Sequence, residues 1–566
     1  MSTISGGELF LKCLAQENIR VIFAVPDVGY NPVLAKLKEY GVRLLPPRHE
    51  AAAAHMADGW TRVTGEPAVC MAGAGPGTAN LLSGMVTAYS EGSPVIAVSA
   101  NLPSSAIYPD RGGAFQYANQ VELFRPATKW NALVASPKRI PELVEKAFRI
   151  ATSGKPGPVH LDVPEDVFQA EIDEGAAPVE PRERYRATQA LAPDRSLVKE
   201  AAAMLAEAAL PALYVGAGVR HSGAWVELRQ VAERLECPVL LAPSARGLFP
   251  EDHPLCFVPL SAGGVALRQQ ADLIVLVGTQ LGQLENYGRP PNWGLADRQK
   301  IIQIDASPEM IGRTRPVDLG IVGDARASLA LLLDEVEAIG GPRPSSERLQ
   351  EFQRLDREWR EGLMALATDG SPVHPAKLMS EVAEFFPRDG TLVMDGGNTA
   401  LYCFQYCRVY EPRHHLWTSK FGHLGAGIPY ALAAKLAHPE RTVILVTGDS
   451  AFGFNITELE TAFREKLPII CVVSCDYRWG MEVAGQLAML GLENLVGLDH
   501  SRARYDKVAE GFGCFGAYVE DPKQVRPALE AAQRSGLPAV IHVEIDRDAN
   551  VLPPGLVEFA TAGQDV

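Results

Sequence analysis

What this sequence most plainly lacks is a basic patch. Its 53 Lys and Arg stand against 68 Asp and Glu, a formal charge of −15, and pairs such as Arg502/Arg504 read as ordinary solvated faces. Nucleic acid, which needs clustered cations, is excluded as a partner. Apolar runs of 18 residues are missing too, so no membrane span is expected. The opening Met-Ser-Thr-Ile-Ser-Gly-Gly-Glu has neither the basic start nor the apolar stretch of an export signal. There is no CxxC. Nine cysteines, an odd number at positions 13, 70, 237, 256, 403, 407, 471, 475 and 514, have no histidine cluster beside them. They read as reduced thiols of a cytoplasmic protein, not as disulfides or a zinc site.

What is present is ample material for cores. The chain has 566 residues, 47% of them apolar, a length that suggests about three or four domains. Short β-branched runs at 21–25, 68–72, 94–100 and 157–163 alternate with helical patterns at 8–16, 31–40, 51–61 and 136–152. That rhythm predicts a parallel sheet covered on both faces. A mixed acidic, Pro and Arg stretch at 168–196 reads as a linker. Strands follow at 212–215, 239–241, 273–277 and 300–305, then a polar stretch at 341–349. A last set lies at 391–394, 442–446, 469–474 and 539–544. The expected fold is α/β with three Rossmann-like units, 1–168, 190–340 and 370–550, the first and third sharing a coarse rhythm.

Two strand ends carry the chemistry. The run 442–447 ends in Gly448-Asp449-Ser450-Ala451-Phe452, with Asn455 a cap for a helix starting near Ile456. The run 469–474 ends in Cys475-Asp476-Tyr477-Arg478. Side by side, these strands would project both aspartates from the edge where open α/β sheets bind ligands. Two carboxylates and a main-chain carbonyl suit Mg²⁺ that keeps phosphate oxygens in its other positions. Gly448 would let backbone approach, and the Ser450 and Ala451 N–H groups would face phosphate. By spacing alone, two turn-forming aspartates would look the same.

The stretch Gly448-Asp449-Ser450 through Cys475-Asp476 resembles the signature of thiamine-diphosphate enzymes, of the group that holds acetolactate synthase large subunits, benzoylformate decarboxylase and 2-hydroxyacyl-CoA lyases. The resemblance implies Mg²⁺ on Asp449, Asp476 and the Arg478 carbonyl. It places Asn398, Thr399, Gly448, Ser450 and Ala451 at the diphosphate. Leu424, in Phe421-Gly-His-Leu-Gly-Ala-Gly427, would be the apolar wedge that bends the cofactor. Pro26, Gly73, Asn80 and Met481 complete its implied binding set. Ser450 replaces the usual third Gly, as in the acyl-CoA branch. Asp476 replaces the usual Asn and adds a negative charge beside the diphosphate.

The same resemblance gives His49-Glu50 its meaning. Glu50 maps to the activating acid that bonds N1′ of the aminopyrimidine and promotes loss of the thiazolium C2 proton. A largely buried Glu50 with a raised pKa is expected, although an acid there would also favour a helix N-terminus. Gly73-Ala-Gly-Pro-Gly77 and Phe115-Gln116 resemble acetolactate synthase, with Gln116 a polar pocket contact. Gly73 stands where benzoylformate decarboxylase places a catalytic His. Asp27 and Glu482 resemble acids of pyruvate decarboxylase that handle protons or product release, and two solvated acids at helix starts fit them equally. His423 is a further catalytic candidate.

In the middle unit, Val215-Gly216-Ala-Gly218-Val-Arg-His221 lacks the third glycine of a dinucleotide fingerprint. Gly278-Thr-Gln-Leu-Gly-Gln-Leu-Glu285 replaces the stretch usual in FAD-binding relatives, so FAD there is disfavoured, and Ala306-Ser307-Pro308 after the run 300–305 brings no basic side chain to the phosphate of ADP. The resemblance implies a small 2-oxo-acid, aldehyde or acyl-CoA substrate, and a homodimer at minimum with a homotetramer favoured. A 2-oxo-acid carboligase is the leading expectation. The alternatives are a decarboxylase or 2-hydroxyacyl-CoA lyase and, remotely, a non-catalytic homologue.

Overall fold

The computed structural model describes residues 3–339 and 346–562. It has three six-stranded sheets, each wholly parallel. The first runs Arg43–Leu45, Val21–Ala24, Ala68–Ala72, Val95–Asn101, Val159–Pro164, Trp130–Leu133. The third runs His415–Leu416, Thr391–Asp395, Val443–Gly448, Ile470–Cys475, Ala539–Glu544, Phe515–Val519. Numbered by chain order within each sheet, both read 2-1-3-4-6-5, so the shared rhythm is a shared topology. The middle sheet instead reads 3-2-1-4-5-6, from Cys256–Phe257 to Leu319–Val322, the doubly wound order. Central strands such as Val95–Asn101 are buried along their whole length. Helices cover both faces, and that is why these strands appear as unbroken apolar runs.

The chain forms two compact units that do not follow chain order. One contains residues 1–189, 420–440 and 454–469; the other contains 190–419, 441–453 and 470–566. Helices Gly427–Ala437 and Glu458–Arg464 therefore belong with the first sheet. The Tyr430 hydroxyl is bonded to the buried carboxylate of Asp58, and helix Gly427–Ala437 packs along helix Glu50–Thr64.

Three expectations need correction. The helix read at 31–40 stops at Leu34. Beyond it, most hydrogen bonds span three residues (Lys36 N–H to Val33 O, Glu39 N–H to Lys36 O), and Gly41 turns the chain toward Arg43–Leu45 with φ of 64°. The linker read at 168–196 begins as structure: Glu171–Asp173 pairs antiparallel with Thr3–Ser5, and the Tyr185 hydroxyl donates to buried Glu17 at 2.7 Å. Mixed composition concealed a strand of only three residues. Asn455 caps no helix. Its amide donates to the Gly425 carbonyl at 2.7 Å, and the helix begins at Glu458 after Thr457. The polar stretch read at 341–349 lies partly outside the described residues; from Ser346 the chain is helical.

Candidate active site

The second unit carries the carboxylate pair. Gly448 lies opposite Ser474 in parallel register, so the two strands lie side by side and Asp449 and Asp476 follow them at the same edge. Both are buried, at 2% and 5% exposure, and both are well supplied with donors. Asp449 accepts from Ser450 N–H and Tyr477 N–H, each at 2.7 Å. Asp476 accepts from Arg478 N–H at 3.2 Å and from the Asn550 amide at 2.7 Å. Burial, and secondarily the charge of Asp476, push the Asp449 carboxyl up to about 7. Burial also raises Asp476, against the Asn550 hydrogen bond and the more distant Arg547 and Arg478 charges. The extra negative charge of Asp476 is thus partly met by the protein itself.

The surrounding atoms complete a polar cup. Asn398 and Thr399 start a helix directly after Gly396-Gly397 and are buried. The Asn398 amide donates to the Asn550 carbonyl at 2.6 Å. The side-chain oxygens of Asn398 and Asn550 are buried without partners. The Ser450 hydroxyl donates to the Arg478 carbonyl at 2.8 Å and lies 2.9 Å from His500 Nε2. Met481 packs on Gly397, whereas Glu482 is exposed in the first turn of Gly480–Leu490. Among the described residues no cluster of three His, Cys, Asp or Glu could hold a metal. A cation here would rest on two carboxylates plus backbone and ligand oxygens. Unpartnered amide oxygens beside acids already raised by burial fit that donor set.

The first unit holds the other candidates. Glu50 opens helix Glu50–Thr64, with His49 as its cap through an Ala51 N–H bond to Nδ1 at 3.1 Å. Contrary to expectation Glu50 is only half-buried; it sits at a helix tip, where its described side-chain partner is the exposed Asn80 amide at 3.0 Å. Asp27, half-buried, accepts from Gly29 N–H at 2.8 Å and lies against Gly73. A Cβ on Gly73 would come 2.2 Å from Asp27 Oδ2, so any larger residue there would displace the Asp27 side chain. Pro26 is exposed beside Asp27. Gln116 is exposed, with φ of 60°. His423 and Leu424 are half-buried, and the His423 ring stands edge-on to His55 at 4.6 Å. Burial, then His423, lowers His55 to about 3, so His55 is a neutral wall and not a proton carrier at neutral pH.

Three residues escaped the sequence reading. Gln120 accepts from Gly75 N–H at 2.7 Å while its amide donates to Ala100 O at 3.0 Å and Asp162 at 2.8 Å, holding the glycine turn. Glu458 accepts from Arg48 N–H at 3.0 Å, His49 N–H at 3.2 Å and the Thr461 hydroxyl at 2.7 Å, fixing the segment before Glu50. Burial pushes its carboxyl up to about 7. Asn550 is the third. In the middle sheet, a Cβ on Gly218 would come 2.5 Å from the Gly278 Cα, and Gly218 N–H donates to Gly278 O at 2.9 Å. These glycines serve backbone approach between two strand ends.

Comparison with known proteins agrees along the chain. Residues 4–123 match "Thiamine pyrophosphate enzyme, N-terminal TPP binding domain", 198–332 its central domain, and 395–543 its C-terminal TPP binding domain. The chain is 31% identical to a probable acetolactate synthase large subunit of Methanocaldococcus jannaschii, covering 98% of this chain and 94% of that one. It is 30% identical to the acetolactate synthase isozyme 1 large subunit of Escherichia coli K12 (99% and 98% covered) and to the glyoxylate carboligase of Escherichia coli O157:H7 (95% and 92%). With three α/β sheets, paired strand-end aspartates and this full-length likeness, the chain belongs to the thiamine pyrophosphate enzyme family and is a thiamine-diphosphate-dependent enzyme.

Proposed function

We propose that this enzyme is a 2-oxo-acid carboligase of the acetolactate-synthase type. The observation that carries the reading is the space at Gly73. Gly73 carries no side chain and the Asp27 carboxylate occupies the space beside it, its Oδ2 2.2 Å from where a Cβ would stand, so the histidine that the resemblance gives benzoylformate decarboxylase at this position is missing. The named relatives, two acetolactate synthases and a glyoxylate carboligase, point the same way.

In this reading Asp449, Asp476 and the Arg478 carbonyl hold Mg²⁺, whose charge reverses the burial penalty on the two acids. Asn398, Thr399, Gly448 and the Ser450 and Ala451 N–H groups receive the diphosphate. Pro26, Gly73, Asn80, Leu424 and Met481 shape the space for the rings. When bound, thiamine diphosphate supplies the electron sink that lets a bond beside a carbonyl break and re-form. Glu50, oriented by Asn80 and by the Glu458-held segment, exchanges a proton with the pyrimidine N1′. Gln116 offers a polar contact to the substrate. Asp27, Glu482 and His423 are the candidate proton carriers. The oligomeric state follows the resemblance. A homodimer whose chains complement each other is the minimal active form proposed, with a homotetramer and a cytoplasmic setting alongside. No helix among the described residues is long and apolar enough to cross a membrane. The middle unit is proposed to hold neither FAD nor ADP.

A second reading, a decarboxylase or 2-hydroxyacyl-CoA lyase, draws on Asp27, a half-buried acid beside the glycine turn. Incubation with pyruvate, thiamine diphosphate and Mg²⁺ separates the two. Acetolactate is the expected product; acetaldehyde without coupled product would overturn the carboligase reading.

A further inference from the structure

The second unit contains a cavity remote in sequence from the carboxylate pair, about 280 Å³ in volume. It opens beside the start of strand Cys256–Phe257 and against helix Ser346–Ala365, and Arg357, Arg360 and Arg408 line it. Its acids are already engaged. Glu251 forms a buried two-pronged pair with Arg246 at 2.7 and 2.6 Å, and Asp252 meets Arg388 at 2.6 Å. Asp356 accepts from Gly263 N–H at 2.7 Å. Among the described residues no carboxylate lies within ion-pair distance of Arg357, Arg360 or Arg408, although Asp356 and Glu251 contribute some longer-range attraction to Arg360. Burial, and next the Arg408 guanidinium, pull Arg360 below its ordinary pKa despite those acids. Three guanidinium groups thus share one cavity in a chain whose net charge is −15.

We propose that this cavity is a second ligand site, which takes a small dianion bearing a phosphate or a pair of carboxylates. Guanidinium forks match both head groups in plane and charge. The volume of about 280 Å³ lies just below the range of ligand pockets, roughly 300 to 1,000 Å³, so a compact metabolite fits and a dinucleotide does not. Phe257 and Pro254 give it an apolar wall for a short carbon skeleton.

The test uses the full chain saturated with thiamine diphosphate and Mg²⁺, so that the cofactor site is closed to the probe. Inorganic phosphate and, separately, malonate are titrated at constant ionic strength by calorimetry and thermal unfolding. The wild type should bind at least one of them and unfold at higher temperature in its presence; which one answers identifies the head group. Arg360→Gln and Arg408→Gln should each weaken binding at least tenfold, and Arg289→Gln, an exposed arginine elsewhere, should not. Without anion, Arg360→Gln should unfold no lower than wild type, because it removes the burial cost of the Arg360 cation and its repulsion with Arg408. Should either inner variant fail to fold, Arg357→Gln on the exposed rim should still bind severalfold more weakly. Neither anion acting beyond equivalent NaCl, or all three variants binding like wild type, would overturn the proposal.

Discussion

The two carboxylate sites of this chain are built on opposite plans. Asp449 and Asp476 are buried, and each already accepts two hydrogen bonds. Glu50 is half-buried, with Asn80 as its described side-chain partner. Around Glu50 it is the backbone that is pinned, by Gln120 at Gly75 and by Glu458 at Arg48 and His49. The contrast teaches what each acid can do. A carboxylate raised by burial, positioned by two donors and still holding free lone pairs, is poised to receive a cation, which repays the burial cost in place. A lightly tethered carboxylate on a fixed backbone keeps an oxygen available for proton exchange with a ligand.

Three substitutions would break or sharpen that contrast. The largest effect is expected from Glu50→Gln, which removes the exchangeable proton while keeping size and polarity. Turnover should fall by roughly 10²- to 10⁴-fold, the usual worth of a positioned acid or base, with cofactor affinity little changed in calorimetry. Next comes Glu458→Gln. The buried Glu458 carboxyl ionises near 7 in the folded chain against an ordinary 4.5, so the native state binds the proton more tightly than the unfolded one. Its stabilising contribution is complete below about pH 4.5 and is lost as pH rises through 7, about 3 kcal/mol in all. Urea unfolding at pH 5 and pH 8 should show wild type losing more stability than the variant across that window. Equal losses would mean that Glu458 is not held as described. The smallest effect is expected from Asp449→Asn, which removes one of the two charges proposed to hold Mg²⁺. Mg²⁺-dependent cofactor binding should weaken at least about 10-fold, the lower end of what losing even an outer partner of a metal ligand costs.

The legible and illegible parts of the molecule divide along similar lines. The central strands were readable because burial on both faces makes them continuous apolar runs, as in Val443–Gly448 and Ile470–Cys475. Edge strands such as Trp130–Leu133 and Phe515–Val519 passed unread, since partial exposure mixes their composition. The aspartate pair was readable because each acid follows a strand directly, so local sequence carries its placement. Gln120, Glu458 and Asn550 were not. Their partners lie 45, 410 and 74 residues away, at Gly75, Arg48 and Asp476, and no local pattern encodes such a meeting. Burial of Glu50 was overestimated for a related reason, because the resemblance conveys a residue's role and not the walls around it in one chain.

The central claim is that Glu50 moves a proton and that the Asp449/Asp476 pair holds the cofactor. The most direct measurement is the rate of C2 proton exchange on thiamine diphosphate, read by NMR at saturating cofactor and Mg²⁺. Wild type and Asp449→Asn, once saturated, should both exchange fast, and Glu50→Gln should exchange at least a hundredfold more slowly. Fast exchange in saturated Glu50→Gln would contradict the account.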